Sequence, residues 1–233
     1  MQHQWQETPL LKGLEDSTFQ EVQATIRTKK ISKGESLFFV SDKATAVYIL
    51  VSGSIKISRD TQDGVEAVIY LSKKNDIIAE NVLFGEKEYS YNAIACEDSE
   101  VLVLPCPEIR IIMQHSPAIQ SNATKILLQR QKKLQMDIEH LTVQSAPQRI
   151  GCFLLDLCDQ KTKGAVNFEL PYEKGLIAAR LGMKSETFSR ALNELKQHGV
   201  EVKGKSVAIK SIENLVDFTC SACSSSFPCS AEQ

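Results

Sequence analysis

The chain has no segment of the kind that enters or crosses a membrane. None of its apolar runs approaches the roughly 20 residues that span a bilayer. Residues 1–7 contain neither the basic stretch nor the apolar stretch of a secretory signal. The hydrophobic content of 42% is that of an ordinary globular protein, which excludes a disordered or fibrous chain. We therefore expect a cytoplasmic protein with no membrane partner.

The chain also lacks a strong net charge. Its formal value of −2 argues against a protein that binds nucleic acid over its whole surface. The charge is unevenly distributed, because residues 171–210 contain eight lysines and arginines against four glutamates. This segment carries a net charge of +4 and the rest of the chain −6. A basic segment in an acidic chain is typical of a DNA-binding module.

The residue groupings that most enzymes require are absent as well. The sequence has no recognisable pair of nucleophile and general base, no glycine-rich phosphate loop and no carboxylate pair with an obvious partner. Seven cysteines in a cytoplasmic chain of this size are not expected to form a disulfide framework. We predict that the protein is not an enzyme. A thiol-dependent redox catalyst and a plain structural adaptor are the alternatives from other classes.

The first half of the chain is rich in short β-type runs. They lie between residues 31 and 105 and are separated by turns, and Asp63-Gly64 between two of them predicts a β-hairpin. Short strands at this spacing favour an antiparallel sandwich or barrel. We assign residues 1–115 to this β-rich domain.

A long helix is predicted over residues 116–145, because no glycine or proline interrupts the sequence between Pro117 and Pro147. A helix with a narrow apolar seam needs a partner, and a second copy of the same helix is the simplest one. We therefore predict a dimerisation helix, with a surface helix packed on its own β-rich domain as the alternative. In a heptad repeat, Thr124, Gln131 and Ile138 take position a, and Leu127, Leu134 and Leu141 take position d. Leu127, Leu134, Ile138 and Leu141 are the predicted dimer contacts.

Residues 146–218 have the pattern of a winged helix-turn-helix. Two short helices, over about 173–180 and 185–198, are joined by a four-residue break in which Gly182 can adopt the left-handed backbone of the turn. A tight hairpin over residues 200–209 follows and forms the predicted wing. An ordinary helical hairpin with solvated charges is the alternative.

The second helix of this pair has the side chains that read bases. Glu186, Ser189 and Arg190 share one face, since positions three and four apart are neighbours on a helix. Glutamate can accept a hydrogen bond from a cytosine amino group, and arginine can bind O6 and N7 of guanine. At the tip of the hairpin, Lys203 and Lys205 suit phosphate contacts. Lys184 and Thr187 complete the predicted DNA contacts.

These motifs together resemble the CRP/FNR transcription regulators. Residues 177–190 resemble the winged helix of that family, and the Glu-x-x-Ser-Arg motif is similar to that of the FNR and denitrification-regulator branch, which reads TTGAT-type half-sites. Residues 33–38 and 48–57 resemble its cyclic-nucleotide-binding-like β-roll. The resemblance implies an α+β fold with a sensor β-roll, a homodimer on a TTGAT-like inverted repeat, and RNA polymerase as a partner if the protein activates transcription.

The resemblance also bears on the effector. Family members that bind cyclic nucleotides hold the phosphate with a Gly-Glu pair and an Arg-Ser/Thr pair, whereas this sequence has Gly85-Glu86 and, in the second place, Tyr89-Ser90. A buried phosphodiester needs a cation or several amide donors. Binding of cyclic AMP or cyclic GMP is therefore not expected.

The cysteines near the C-terminus suggest another effector. Cys220, Cys223 and Cys229 have a spacing that resembles the iron–sulfur ligands of oxygen-sensing FNR proteins, in which the run is N-terminal. We expect an iron–sulfur cluster that responds to redox state or a diatomic gas, with Cys96, Cys106 or a carboxylate as the open choice for its fourth ligand. Free thiols in a disordered tail of residues 219–233, a zinc site and a thiol switch are the alternatives.

Haem is the second effector hypothesis. Residues 82–95 resemble the nitric-oxide-responsive, haem-associated branch of denitrification regulators. The histidines available as ligands are His3, His115, His140 and His198.

Overall fold

The computed structural model describes residues 5–158 and 163–224, which divide into two compact units between residues 130 and 131. The first unit is β-rich and the second is mostly helical, so the predicted α+β class is confirmed. The division falls within the long helix, whereas the domain boundaries predicted from the sequence lie before and after it. No helix within the described part of the chain is long and apolar enough to cross a bilayer.

The first unit is a roll of two four-stranded antiparallel sheets. Their strand orders are β1-β8-β3-β6 and β2-β7-β4-β5. A short helix, α1, precedes them at Asp16–Thr25. The strands are β1 (Arg27–Ile31), β2 (Ser36–Phe38), β3 (Ala46–Ser52), β4 (Ile55–Asp60), β5 (Glu66–Ser72), β6 (Ile77–Ile78), β7 (Asn92–Ala95) and β8 (Ser99–Pro105).

The predicted hairpin is present as β4 and β5. Its loop is longer than two residues, because the N–H of Thr61 donates to the carbonyl oxygen of Val65 and Asp63-Gly64 lies between them. Strand β3 lies between β8 and β6, and its apolar side chains from Ala46 to Leu50 are buried. The roll therefore has one hydrophobic core that both sheets share.

Two helices follow the roll. Helix α2 (Cys106–His115) packs its apolar face into the core. Helix α3 (Pro117–Val143) has 27 residues, which confirms the predicted long helix over 116–145. It buries Ile119, Ala123 and Ile126, which lie three or four residues apart and therefore on one face.

The second unit contains the remaining helices and a three-stranded sheet of order β10-β11-β9. Helix α4 begins with a capping box, in which Ser145 and Gln148 each bond the backbone N–H of the other. The elements are α4 (Ala146–Asp156), β9 (Val166–Glu169), α5 (Lys174–Arg180), α6 (Ser185–Leu195), β10 (Val200–Lys203), β11 (Ser206–Ile209) and α7 (Ile212–Cys220).

Helix α7 was not predicted from the sequence. Ser211 caps it by accepting from the N–H of Asn214, and Thr219 in its last turn is fully buried. A Cβ on Gly151 of α4 would lie 2.4 Å from Cγ2 of Thr219, so only glycine fits at this approach. The helix includes Cys220, so the tail predicted over residues 219–233 begins at least two residues later than expected.

Candidate nucleic-acid interface and sensor domain

The helix-turn-helix is formed by α5, residues 181–184 and α6. Gly182 has φ of +66°, the left-handed conformation expected at this turn. The N–H of Met183 donates to the carbonyl oxygen of Ala178 at 3.0 Å, which closes the turn. On the inner face of α6, Phe188, Ala191 and Leu195 are buried. The burial of these side chains directs the opposite face of α6 to solvent.

The predicted base-reading side chains lie on that outer face. Glu186, Ser189 and Arg190 are all exposed within the first two turns of α6, together with Lys184 at its N-cap, whereas Thr187 is half-buried. Within residues 5–158 and 163–224, neither Glu186 nor Arg190 has an ion pair or a side-chain hydrogen bond. Their hydrogen-bonding groups are therefore available to another molecule.

The wing is the hairpin of β10 and β11, and it has the predicted lysines at its tip. Nζ of Lys203 lies 3.5 Å from Oε2 of Glu201. Nζ of Lys205 lies 3.0 Å from Oε1 of Glu173, in the segment before α5. All four side chains are largely exposed, so these ion pairs contribute little to stability and can be exchanged for phosphate.

The predicted dimer contacts on α3 do not all have the same exposure. Leu134, Ile138 and Leu141 are 42%, 64% and 49% exposed, which is unusual for three apolar side chains on one helix face. Leu127 is half-buried, so it is a weaker candidate for a contact with a partner. Leu128, the next residue, is 54% exposed but lies off the a and d positions.

A buried polar cluster joins α3 to the roll. Nε of Arg130 donates to Oε1 of Glu80 at 3.1 Å, and its guanidinium carbon lies 4.0 Å from the centre of the Tyr70 ring. Burial lowers the pKa of Arg130, but Tyr70, Glu80 and Asp76 outweigh this effect and raise it above its ordinary value. The second carboxylate oxygen of Glu80 and the hydroxyl of Tyr70 are buried without a hydrogen-bond partner in the described structure.

This cluster was not predicted from the sequence, although the position of Arg130 on the helix is a signal for it. Arg130 continues the buried face of α3, since it follows Ile126 by four residues and Ala123 by seven. A charged residue in an otherwise apolar stripe indicates a buried partner of opposite charge. That partner, Glu80, lies 50 residues away in the chain, and its pairing with Arg130 cannot be found from local spacing.

The segment in which family members hold a ligand phosphate has other contacts here. Tyr89 is buried, stacks on Phe38 with 3.7 Å between ring centres, and donates its hydroxyl to the carbonyl oxygen of Ala46. Glu86 is exposed and accepts hydrogen bonds from Asn81 and from Ser90. Tyr89 therefore has a structural role in the core of the roll.

The cysteines and histidines of the described residues do not converge on one site. Cys220 and Cys223 are half-buried at the end of α7, and Cys229 lies outside the described residues. Among the residues that are described, no group of three or more His, Cys, Asp or Glu side chains is arranged to hold a metal ion. His115 pairs with Glu21, His140 contacts Cys152, and His198 stacks on Phe218, while His3 is also outside the described residues.

Comparison with known proteins agrees with this architecture. A family model described as the cyclic nucleotide-binding domain matches residues 28–116, and the Crp-like helix-turn-helix domain matches residues 148–218. The chain is 26% identical to the cyclic AMP receptor protein of Thermus thermophilus, over 83% of this chain and 88% of that protein. It is 27% identical to the fumarate and nitrate reduction regulatory protein of Vibrio cholerae, over 88% of this chain and 83% of that protein.

A solved structure extends the agreement to the whole fold. The crystal structure of a candidate cyclic nucleotide binding protein from Ruegeria pomeroyi is 33% identical, with a TM-score of 0.64 over 90% of this chain and 92% of that one. A β-roll, a long helix and a Crp-like helix-turn-helix define a DNA-binding transcription regulator. The chain belongs to the CRP/FNR family of these regulators.

Proposed function

We propose that the protein binds an inverted repeat of TTGAT-like half-sites as a homodimer. Each α6 enters the major groove of one half-site, and the two half-sites lie about one helical turn apart. The observation that supports this most strongly is the outer face of α6, where the carboxylate of Glu186 and the guanidinium of Arg190 are exposed and unpaired within the described structure. These are the groups that recognise cytosine and guanine edges.

The basic wing contributes affinity rather than sequence preference. Lys203 and Lys205 are exposed at its tip and reach the phosphate backbone beside the half-site. Lys184 and Thr187 add contacts at the start of α6.

The second copy of the chain covers the exposed part of α3. Leu134, Ile138 and Leu141 lie close to one line along the helix, and pairing them with the same residues of the partner removes their apolar surface from water. Two α3 helices packed in this way relate the two α6 helices by a two-fold axis, which an inverted repeat requires.

For the effector, we propose an iron–sulfur cluster that responds to redox state or a diatomic gas. Cys220 and Cys223 supply two thiols at the end of α7, and Ser224 beside them donates twice to Oε1 of Glu139 at 2.7 Å. Such clusters take four ligands, so the proposal also requires Cys229 and a fourth ligand. When bound, the cluster would supply a redox-sensitive and gas-sensitive group.

Haem remains the alternative effector. An anaerobic visible spectrum with iron and sulfide analysis distinguishes haem from an iron–sulfur cluster. A Cys220→Ser/Cys223→Ser variant should lose iron and sulfide together if the cluster is held there. Equal iron in the variant and the wild type contradicts the cysteine assignment.

The relatives are transcription regulators, and we propose the same non-catalytic role here, in the cytoplasm, with RNA polymerase as a partner if promoters are activated. Selection of binding sites from a pool of random duplexes tests the proposal without assuming a sequence. We expect the enriched duplexes to contain an inverted repeat with a guanine that Arg190 contacts. Enrichment of single or directly repeated sites would contradict the homodimer proposal.

A further inference from the structure

An ion pair joins the end of α3 to the helix-turn-helix. Oδ2 of Asp137 accepts a hydrogen bond from Nη2 of Arg180 at 2.5 Å. The two side chains are only 18% and 16% exposed, so the pair is largely shielded from water. Asp137 lies on α3, while Arg180 is the last residue of α5, directly before the turn that leads to α6.

A second contact reinforces the first. Leu141 lies one helical turn after Asp137, and its Cδ2 would be 3.3 Å from a Cβ placed on Gly182, so α3 approaches the turn closely. Nη1 of Arg149 in α4 also donates to the carbonyl oxygen of Leu141 at 3.3 Å. The end of α3 is therefore held by α4, α5 and the turn together.

We propose that Arg180 is a positioning residue, which holds the helix-turn-helix on α3 through Asp137 and so sets the half-site spacing that the dimer accepts. The inference rests on the proposed binding of an inverted repeat. An exposed arginine beside a recognition helix would ordinarily be assigned to a DNA phosphate. Here the guanidinium is shielded and bound to a carboxylate, which points to a role within the protein.

The half-site spacing follows from a rigid connection between α3 and α5. If two α3 helices pack on each other and α5 is fixed on each of them, the distance between the two α6 helices is fixed as well. Adding or removing one base pair between half-sites changes their separation by about 3.4 Å and rotates one about the duplex axis. A rigid dimer loses contacts at such a site, whereas a dimer with a loosened α3–α5 connection adapts to it.

The test measures affinity for three inverted repeats, which have the optimal spacer or a spacer one base pair shorter or longer. The full chain is compared with Asp137→Ala, Arg180→Ala and the charge exchange Asp137→Arg/Arg180→Asp. We expect the wild type to prefer the optimal spacer by about tenfold, and each single variant to lose most of that preference. The charge exchange should restore at least part of it, because the ion pair can form again in the opposite sense.

Lys205→Ala is the matched control for a phosphate contact. It should lower affinity equally at all three spacers and reduce the dependence of log affinity on log salt by about one unit. Arg180→Ala and Asp137→Ala should leave that salt dependence unchanged. Arg180→Lys, which keeps the charge, is a milder variant that should retain most of the spacer preference if Arg180→Ala proves too unstable to assay.

Two results would overturn the inference. If Arg180→Ala lowers the salt dependence as Lys205→Ala does, while Asp137→Ala keeps the spacer preference, then Arg180 contacts phosphate. If the wild type binds all three spacers equally, the connection does not set the spacing, although the proposed function still stands. A wild type that binds no inverted repeat would overturn the inference and the proposed function together.

Discussion

The guanidinium carbon of Arg130 lies over the ring of Tyr70, 4.0 Å from the ring centre. The same guanidinium pairs with Glu80, so one side chain of α3 joins a strand and a short helical turn of the roll. A desolvated cation over an aromatic ring adds about 2 kcal/mol, and the carboxylate is nearly buried. Arg130 thus fixes the middle of the long helix on the β-roll.

Replacement of Arg130 by methionine should lower the free energy of unfolding by about 2–4 kcal/mol. This loss is slightly smaller than the one expected when a fully buried ion pair is broken. The loss arises because Glu80 is left as an unpaired, buried charge. Urea unfolding of the full chain measures this loss. The control is Lys125→Met, on the exposed face of the same helix, which should change the free energy of unfolding by less than about 0.5 kcal/mol. Adding Glu80→Gln to Arg130→Met should recover part of the loss. Unchanged stability in Arg130→Met would show that the cluster does not fix the helix.

Replacement of Ile138 by lysine should weaken the dimer, because it places a charge in the proposed contact between two α3 helices. Ile138 is 64% exposed in the single chain, so the fold itself should not change. Leu128→Lys is the matched control, since Leu128 has a similar exposure but lies off the a and d positions. Sedimentation equilibrium should show more monomer for Ile138→Lys only. Equal weakening by both variants would place the dimer contact elsewhere.

Replacement of Arg190 by alanine should cost about 1–3 kcal/mol at the cognate site and reduce discrimination at the contacted guanine. Arg190→Lys keeps the charge but not the planar pair of donors, so it should also lose discrimination while retaining more of the overall affinity. Titration of labelled duplexes with each single base change measures both effects. A loss of the same size on random DNA would show that Arg190 contacts the backbone.

Acidification should destabilise the second unit through His140. Burial lowers the pKa of His140 below its ordinary value of 6.5; Asp137 and Glu139 oppose this shift, while Lys133 and Arg180 add to it. Well above pH 6.5 the imidazole is neutral in both states, so its contribution to stability is constant. Below that pH the unfolded chain binds the proton first, and stability falls until the folded pKa is passed. His140→Gln should reduce the difference in urea midpoint between pH 7.5 and 5.5, and an unchanged difference would exclude His140 as its source.

The sequence predicted most of the fold because its signals are local. Asp63-Gly64 predicted the hairpin, the uninterrupted residues after Pro117 predicted the long helix, and Gly182 predicted the turn between α5 and α6. Helix α7 was missed because the Ser211 cap and a nine-residue helix give little periodicity to detect.

Only the part of the candidate site that follows from local spacing could be predicted from the sequence. The face of α6 with Glu186, Ser189 and Arg190 follows from helical spacing alone. The pairs Arg130–Glu80 and Asp137–Arg180 join residues 50 and 43 positions apart, so they depend on tertiary packing that spacing does not contain. Leu127 was placed on the dimer seam by the heptad repeat, but the repeat does not show that this side chain is already half-buried.

The measurement that tests the central proposal most directly is binding of the full chain to a fluorescent duplex with two TTGAT half-sites in inverted orientation. Its comparison duplex has one half-site scrambled, and fluorescence anisotropy gives both affinities while sedimentation gives the number of chains bound. We predict two chains on the intact repeat and a loss of about 100-fold or more when one half-site is scrambled. Equal affinity for the two duplexes, or one chain on the intact repeat, would contradict a homodimer that reads an inverted repeat.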